Sequence, residues 1–319
     1  MKIRGEGINR VALIADNTLS GIANAILAKK IFKERSEVNL IARNETNQFL
    51  SKLIYDSSER LPYKTVLISG LQIHKILSDR IDNFEKEKNP SFRLFSNIKP
   101  MNSEMKSWFI INDKEENSAK VFLNYFKNNH KLKYLSEYEN VINLLTSADK
   151  ENQSSKDLYL LLRALGKQRF IERFSNDSNI EFSVDEKALI TLEKEKAERM
   201  AYAIVDSSSY LAEMNVTNIG TIKVGIAYAN NYIDEVSDAI FSKYPNVNLA
   251  VVINLPFGVT YKIRKDIQDV NLTNMIKQFK GIKNKDTGHI TSNLNPMFNK
   301  QVASMLFKSY GADMKLIKQ

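Results

Sequence analysis

"VALIADNTLSGIANAILAKKIF", residues 11–32, decides how this chain folds. Its first five residues are short and uniformly apolar, as in a strand buried on both faces. From Gly21 onward Ile22, Ala25, Ile26, Leu27 and Ile31 recur near helical spacing, so a helix is expected over 21–32. Between the two lies a polar turn with Asp16, Asn17, Thr18 and Ser20. A strand that ends in a polar turn and re-enters as a helix is where α/β proteins keep their ligands.

The same alternation continues downstream. Strands are expected at "VNLIA" (38–42), "KTVLISG" (64–70), "FRLFS" (92–96) and "SWFIIN" (107–112), with helical segments at 47–57 and 71–88 between them. Such alternation predicts an α/β fold with an open, mostly parallel sheet. Residues 114–174 read as helical, and "SNDSN" (175–179) is a polar break. "VDEKALITLEKEKAERMAYAIVD" then reads as a long, densely charged helix with Asp185 as its N-cap, suited to connecting domains. A second, smaller α/β unit follows. It has strands at 222–229, 247–255 and 258–265, helices at 232–244, 271–279 and 296–310, and Pro296 in the first turn of the last. The expected division is 1–180, a connecting helix over 181–210, and 211–319.

The 319 residues are 43% hydrophobic and 26% charged, the composition of a globular protein. No apolar run reaches the roughly 20 residues that span a bilayer, and the first residues lack the apolar stretch of a secretory signal. There is no cysteine, which removes disulfides and thiolate chemistry. No membrane partner and a cytoplasmic location are expected. The net charge of +9 points to a polyanionic partner, with nucleic acid the first candidate, or to a Lys-rich composition with no such meaning.

Local catalytic motifs are scarce. The only histidines, His74, His130 and His289, form no closely spaced ligand pair, and neither a Walker A sequence nor G-x-S-x-G occurs. Asp113, Glu115 and Glu116 read as acids at a helix start. Trp108 reads as core, and Tyr202 and Tyr210 as packing residues rather than base-stacking platforms.

The order of elements resembles that of the DHH/DHHA1 phosphoesterase superfamily, which includes RecJ-like exonucleases, oligoribonucleases and cyclic-dinucleotide phosphodiesterases. The clearest local likeness is "TYKIRKDIQDVNLTNMIKQFKGIKNKDTGHITSN", which looks like the strand arginine, short helix and Gly-His loop of a DHHA1 domain. The resemblance implies substrate binding by Arg264, Gly288 and His289. Lys262, Lys265, Lys283 and Lys285 would add a positive field.

At the other end, "DNTLSGIANAIL" aligns with the family's His-x-Asp-x-Asp-Gly motif through Gly21. Asp16 then stands at the histidine, and Thr18 and Ser20 at the two aspartates. Gly70 takes the place of the aspartate that ends the third strand. Ser96, Asn97 and Ile98 correspond to Asp-His-His, and Asp149 to a later aspartate. Paired cations need several carboxylates and imidazoles. On this alignment only Asp16 and Asp149 remain, enough for one loosely held Mg²⁺ at most. The implied protein is a catalytically degenerate homologue with no catalytic residues, metal or cofactor. It would bind nucleic acid or a nucleotide, as a homodimer or within a heteromeric nucleic-acid-processing assembly. The alternatives are an active Mn²⁺- or Mg²⁺-dependent phosphodiesterase with an atypical ligand set, or a scaffold subunit.

Overall fold

The computed structural model describes residues 10–55, 61–88, 91–99, 105–147, 152–216, 220–254, 258–264, 287–290 and 313–317. The chain divides into two compact units, Met1–Ile190 and Thr191–Gln319.

The first unit is built on a five-stranded sheet in the order β2-β1-β3-β4-β5, parallel throughout. The strands are β1 (Val11–Asp16), β2 (Ser36–Ile41), β3 (Thr65–Ser69), β4 (Ser91–Ser96) and β5 (Phe109–Ile111). Every residue of β1 is buried. Val11, Leu13 and Ala15 enter one core, while Ala12 and Ile14 enter another. A strand sandwiched this way has no polar face, which is why it reads as an unbroken apolar run. The α/β class expected from the sequence is the class observed.

Five helical elements of this unit lie on or beyond the sheet: α1 (Leu19–Phe32), α2 (Thr46–Tyr55), α3 (Lys75–Lys88), α4 (Ser118–Asn129) and α5 (Glu139–Thr146). α6 (Gln153–Asn176) follows. α1 is the central one. All eight residues from Gly21 to Ala28 are buried, and α4, α5 and α6 pack around it. A helix apolar on every side belongs in an interior. The one intruder is Asn24, fully buried, whose Nδ2 donates to Ser20 O at 2.8 Å. The helical stretch expected over 114–174 is resolved into three helices. α6 itself is broken at Gly166, whose φ of 73° and ψ of 163° suit only glycine.

α7 (Val184–Ser208) contains the division between the units, and its start differs from the sequence reading. Ser183, rather than Asp185, caps it. Ser183 Oγ accepts from Glu186 N at 3.2 Å, and Glu186 Oε2 accepts from Ser183 N at 2.8 Å. This is a reciprocal capping box, and Asp185 lies in its first turn.

The second unit holds a six-stranded mixed sheet in the order β10-β9-β8-β7-β6-β11. Its strands are β6 (Tyr210–Val216), β7 (Gly220–Tyr228), β8 (Leu249–Asn254), β9 (Gly258–Ile263), β10 (Thr287–Ile290) and β11 (Asp313–Ile317). Among its described strands only β7 and β8 run parallel, joined through α8 (Ile233–Lys243). α8 sits close on the sheet at Gly225, where a Cβ would lie 2.3 Å from Ile240 Cγ2. β6, β10 and β11 were not evident from sequence. β10 replaces an expected loop: Gly288 pairs with Tyr261 and His289 with Thr260 in an antiparallel ladder. The helices expected at 271–279 and 296–310 lie outside the described residues.

Candidate functional site

The carboxyl ends of five parallel strands open on one edge of the first sheet. Its strand order places the topological switch between β1 and β3, the position where ligands of open α/β sheets bind. Asp16 ends β1 at this point. It is fully buried, and its carboxylate has two partners. Oδ1 accepts from Thr18 Oγ1 at 2.8 Å. Oδ2 accepts from Arg43 Nη2 at 2.7 Å and Nε at 3.1 Å.

The turn is compressed around this carboxylate. Thr18 is the N-cap of α1, its hydroxyl accepting from Gly21 N. A Cβ on Gly21 would lie 1.6 Å from Asp16 O, so only glycine fits where α1 leaves the strand. Gly70 follows β3 with φ +69°, and a Cβ there would meet Ser118 Oγ at 3.0 Å and Asp16 Cγ at 3.1 Å. Side chains from α4 close the inner wall. Ser118 Oγ lies 3.0 Å from Ser20 Oγ and accepts from Asn24 Nδ2 at 3.3 Å. Asn24 Oδ1 and Ser69 Oγ are buried here without a hydrogen-bond partner among the described residues. On the outer rim, Lys167 Nζ donates to Asn17 Oδ1.

Among the expected positions, Asp16, Thr18, Ser20 and Gly70 therefore come together. Ser96, Asn97 and Ile98 lie on the same edge, at the end of β4 and just after it, but engage one another and α4's entry. Ser96 Oγ donates to Ile98 O at 2.8 Å, and Asn97 Nδ2 donates to Glu116 O at 2.9 Å. Asp149 lies outside the described residues. Arg43, Ser118, Asn24 and Lys167 were missed. Arg43 carried a usable signal, since it follows the second strand by two residues and so had to reach the same edge.

The donor set does not suit a pair of divalent cations. Among the described residues the one buried carboxylate at this edge is taken by a guanidinium, and Thr18, Ser20 and Ser118 offer neutral hydroxyls. Among the described residues no group of three or more His, Asp or Glu could hold a metal. Glu116 and Asp113 sit at the entry to α4, paired with Lys120 at 2.8 Å and Lys99 at 3.5 Å. The salt link to Lys120 holds the Glu116 carboxyl below the usual range.

In the second unit Arg264 caps a helix. Its Nε donates to Val247 O at 2.8 Å, and its Nη2 donates to Tyr244 O at 2.8 Å and Phe241 O at 3.2 Å. The guanidinium also lies over the Phe241 ring at 5.1 Å. Cations at a helix C-terminus answer its unpaired carbonyls. Lys262 pairs with Asp238 at 2.6 Å. Gly288 and His289 lie one strand away on β10, and Lys265, Lys283 and Lys285 lie outside the described residues. Trp108 is fully buried, whereas Tyr202 is 46% exposed and is not core.

No protein-family model matches the chain, and no curated relative does. Among solved structures, an uncharacterized protein from Helicobacter pylori G27 aligns over 94% of this chain and 99% of its own, at 14% identity and TM-score 0.40. The pGpG-specific phosphodiesterase PggH from Vibrio cholerae aligns over 95% and 99%, at 12% identity and TM-score 0.47. CDC45 from Entamoeba histolytica aligns over 95% of each chain, at 9% identity and TM-score 0.37. Likeness of this degree carries no functional argument. Among the described residues no helix is long and apolar enough to cross a membrane.

Proposed function

We propose that this chain is a catalytically degenerate homologue of DHH/DHHA1 phosphoesterases that binds nucleic acid or a nucleotide within a nucleic-acid-processing assembly. The observation that carries the reading is the Arg43–Asp16 pair. A two-cation centre needs surplus negative charge to gather its metals. Here the buried carboxylate is already neutralised, and Lys167 adds a further positive charge at the adjacent residue. The edge therefore repels divalent cations and attracts anions. The net charge of +9 gives the same preference over longer range.

The test has two arms. Protein incubated with Mn²⁺ and then desalted should retain no stoichiometric metal and should leave single-stranded DNA, short oligoribonucleotides and cyclic dinucleotides intact. Fluorescence anisotropy with a single-stranded oligonucleotide should show binding that weakens steeply as salt rises, because counterions are released. Manganese-dependent hydrolysis lost in an Asp16→Asn variant would replace this reading with an active enzyme. Absence of any salt-sensitive binding would leave the scaffold reading, which the capping role of Arg264 favours for the second unit.

A further inference from the structure

Two cations are anchored on consecutive residues of one turn, Arg43 on Asp16 and Lys167 on Asn17. Arg43 Nε and Nη2 both face Asp16 Oδ2, and Nη1 makes no hydrogen bond among the described residues. The Arg43 side chain is 64% exposed although its partner is 1% exposed. Its inner edge is thus anchored and its outer edge faces solvent. Lys167 is exposed, and its partner, the Asn17 amide oxygen, is neutral. Asp16 and Asn17 are consecutive, so both cations are tied to the same turn of backbone. The local sum is one positive charge, and Asn17 and Thr18 are exposed between the two.

The backbone adds to this bias. The turn opens α1, whose positive dipole end and first N–H groups face the same edge. It lies at the strand-order switch, where the crevice of an open parallel sheet forms. Gly166 breaks α6 immediately before Lys167, so the lysine stands at a bend.

We propose that the β1–α1 turn is a binding site for a terminal phosphate group, gripped by the outer edge of Arg43 and by Lys167. The inference rests on the anion-binding reading above and narrows it to one place in the first unit. A phosphomonoester offers several oxygens and close to two negative charges, which matches a planar guanidinium edge beside a mobile ammonium. Asp16 acts as the positioning residue. It fixes the guanidinium plane and so lowers the ordering cost of binding.

Isothermal titration with inorganic phosphate, AMP and adenosine tests the assignment, together with anisotropy on one oligonucleotide carrying a 5′-phosphate or a 5′-hydroxyl. AMP should bind and adenosine should not, and the phosphorylated oligonucleotide should bind more tightly. Lys167→Gln, at an exposed position, should weaken AMP roughly tenfold, the scale of one charged hydrogen bond. Binding of inorganic phosphate as tight as AMP would identify phosphate itself as the ligand; AMP tighter than phosphate would identify a nucleotide. Equal binding of AMP and adenosine, or an unchanged affinity in Lys167→Gln, overturns the site. If salt-sensitive oligonucleotide binding persists without AMP binding, the site is wrong and the broader reading stands. If nothing anionic binds, both fall.

Discussion

Arg43 Nη2 donates to Asp16 Oδ2 at 2.7 Å, joining an exposed guanidinium to a carboxylate that is 1% exposed. Removing the arginine leaves the Asp16 carboxylate, among the described residues, with only the Thr18 hydroxyl. Arg43→Ala should therefore destabilise the first unit by about 1.5–3 kcal/mol, less than for a fully buried pair because water reaches the vacated side. Urea unfolding followed by emission of Trp108, the single tryptophan, reads this unit directly.

Three glycines of the first unit should rank by geometry. Gly21→Ala forces a Cβ against the Asp16 carbonyl, and we expect a loss above roughly 4 kcal/mol or no folded protein. Gly70→Ala combines a positive φ with contacts of 3.0–3.1 Å, and Gly166→Ala has a positive φ but open space. Gly166→Ala should cost about 1–3 kcal/mol, with Gly70→Ala between the two. Equal losses at Gly21 and Gly166 would contradict the close approach of α1 to β1.

Arg264→Ala removes the described hydrogen bonds to the carbonyls of Phe241, in the last turn of α8, and of Tyr244 and Val247, just after it. The second unit should lose about 1–3 kcal/mol. Far-ultraviolet circular dichroism should record an earlier transition that Trp108 emission does not follow. Coincident transitions in wild type and variant would argue against a local capping role.

The junction between α6 and α7 should respond to acid. Arg173 Nε donates to Glu186 Oε1 at 2.8 Å, and Arg173 Nη1 to the carbonyls of Asp177 and Asn179. The bond from Arg173 holds the Glu186 carboxyl below its ordinary range. A depressed carboxyl stabilises the fold above its unfolded value, near 4.3, and that contribution fades as pH falls through the folded value. Pepsin should thus cut within 175–185 increasingly below about pH 4, and Glu186→Gln should be cut there already at milder acidity. A cleavage rate in Glu186→Gln that matches wild type at every pH would dissociate the loop from this carboxylate.

Much of the first unit was legible locally. "VALIA", "VNLIA" and "KTVLIS" read as strands because each is a short, largely apolar run, and the helix after Gly21 follows from apolar spacing. Legibility fell in the second unit. β6 and β11 pair antiparallel to each other, and such strands need neither a continuous apolar run nor a helix beside them in sequence. The N-cap of α7 was misplaced by two residues because Ser183 and Asp185 are both good caps, and only the reciprocal bonds with Glu186 distinguish them.

By itself the sequence determined the α/β class and the strand–turn–helix at 11–32. What surrounds that turn was decided by the tertiary structure. Arg43 reaches Asp16 across 27 residues, Ser118 reaches Ser20 across 98, and Lys167 reaches Asn17 across 150. Parallel strands joined by helical crossovers all end on the same edge, so residues far apart in sequence converge there. Local pattern records which residues end each strand, while strand order and helix packing decide which of them meet.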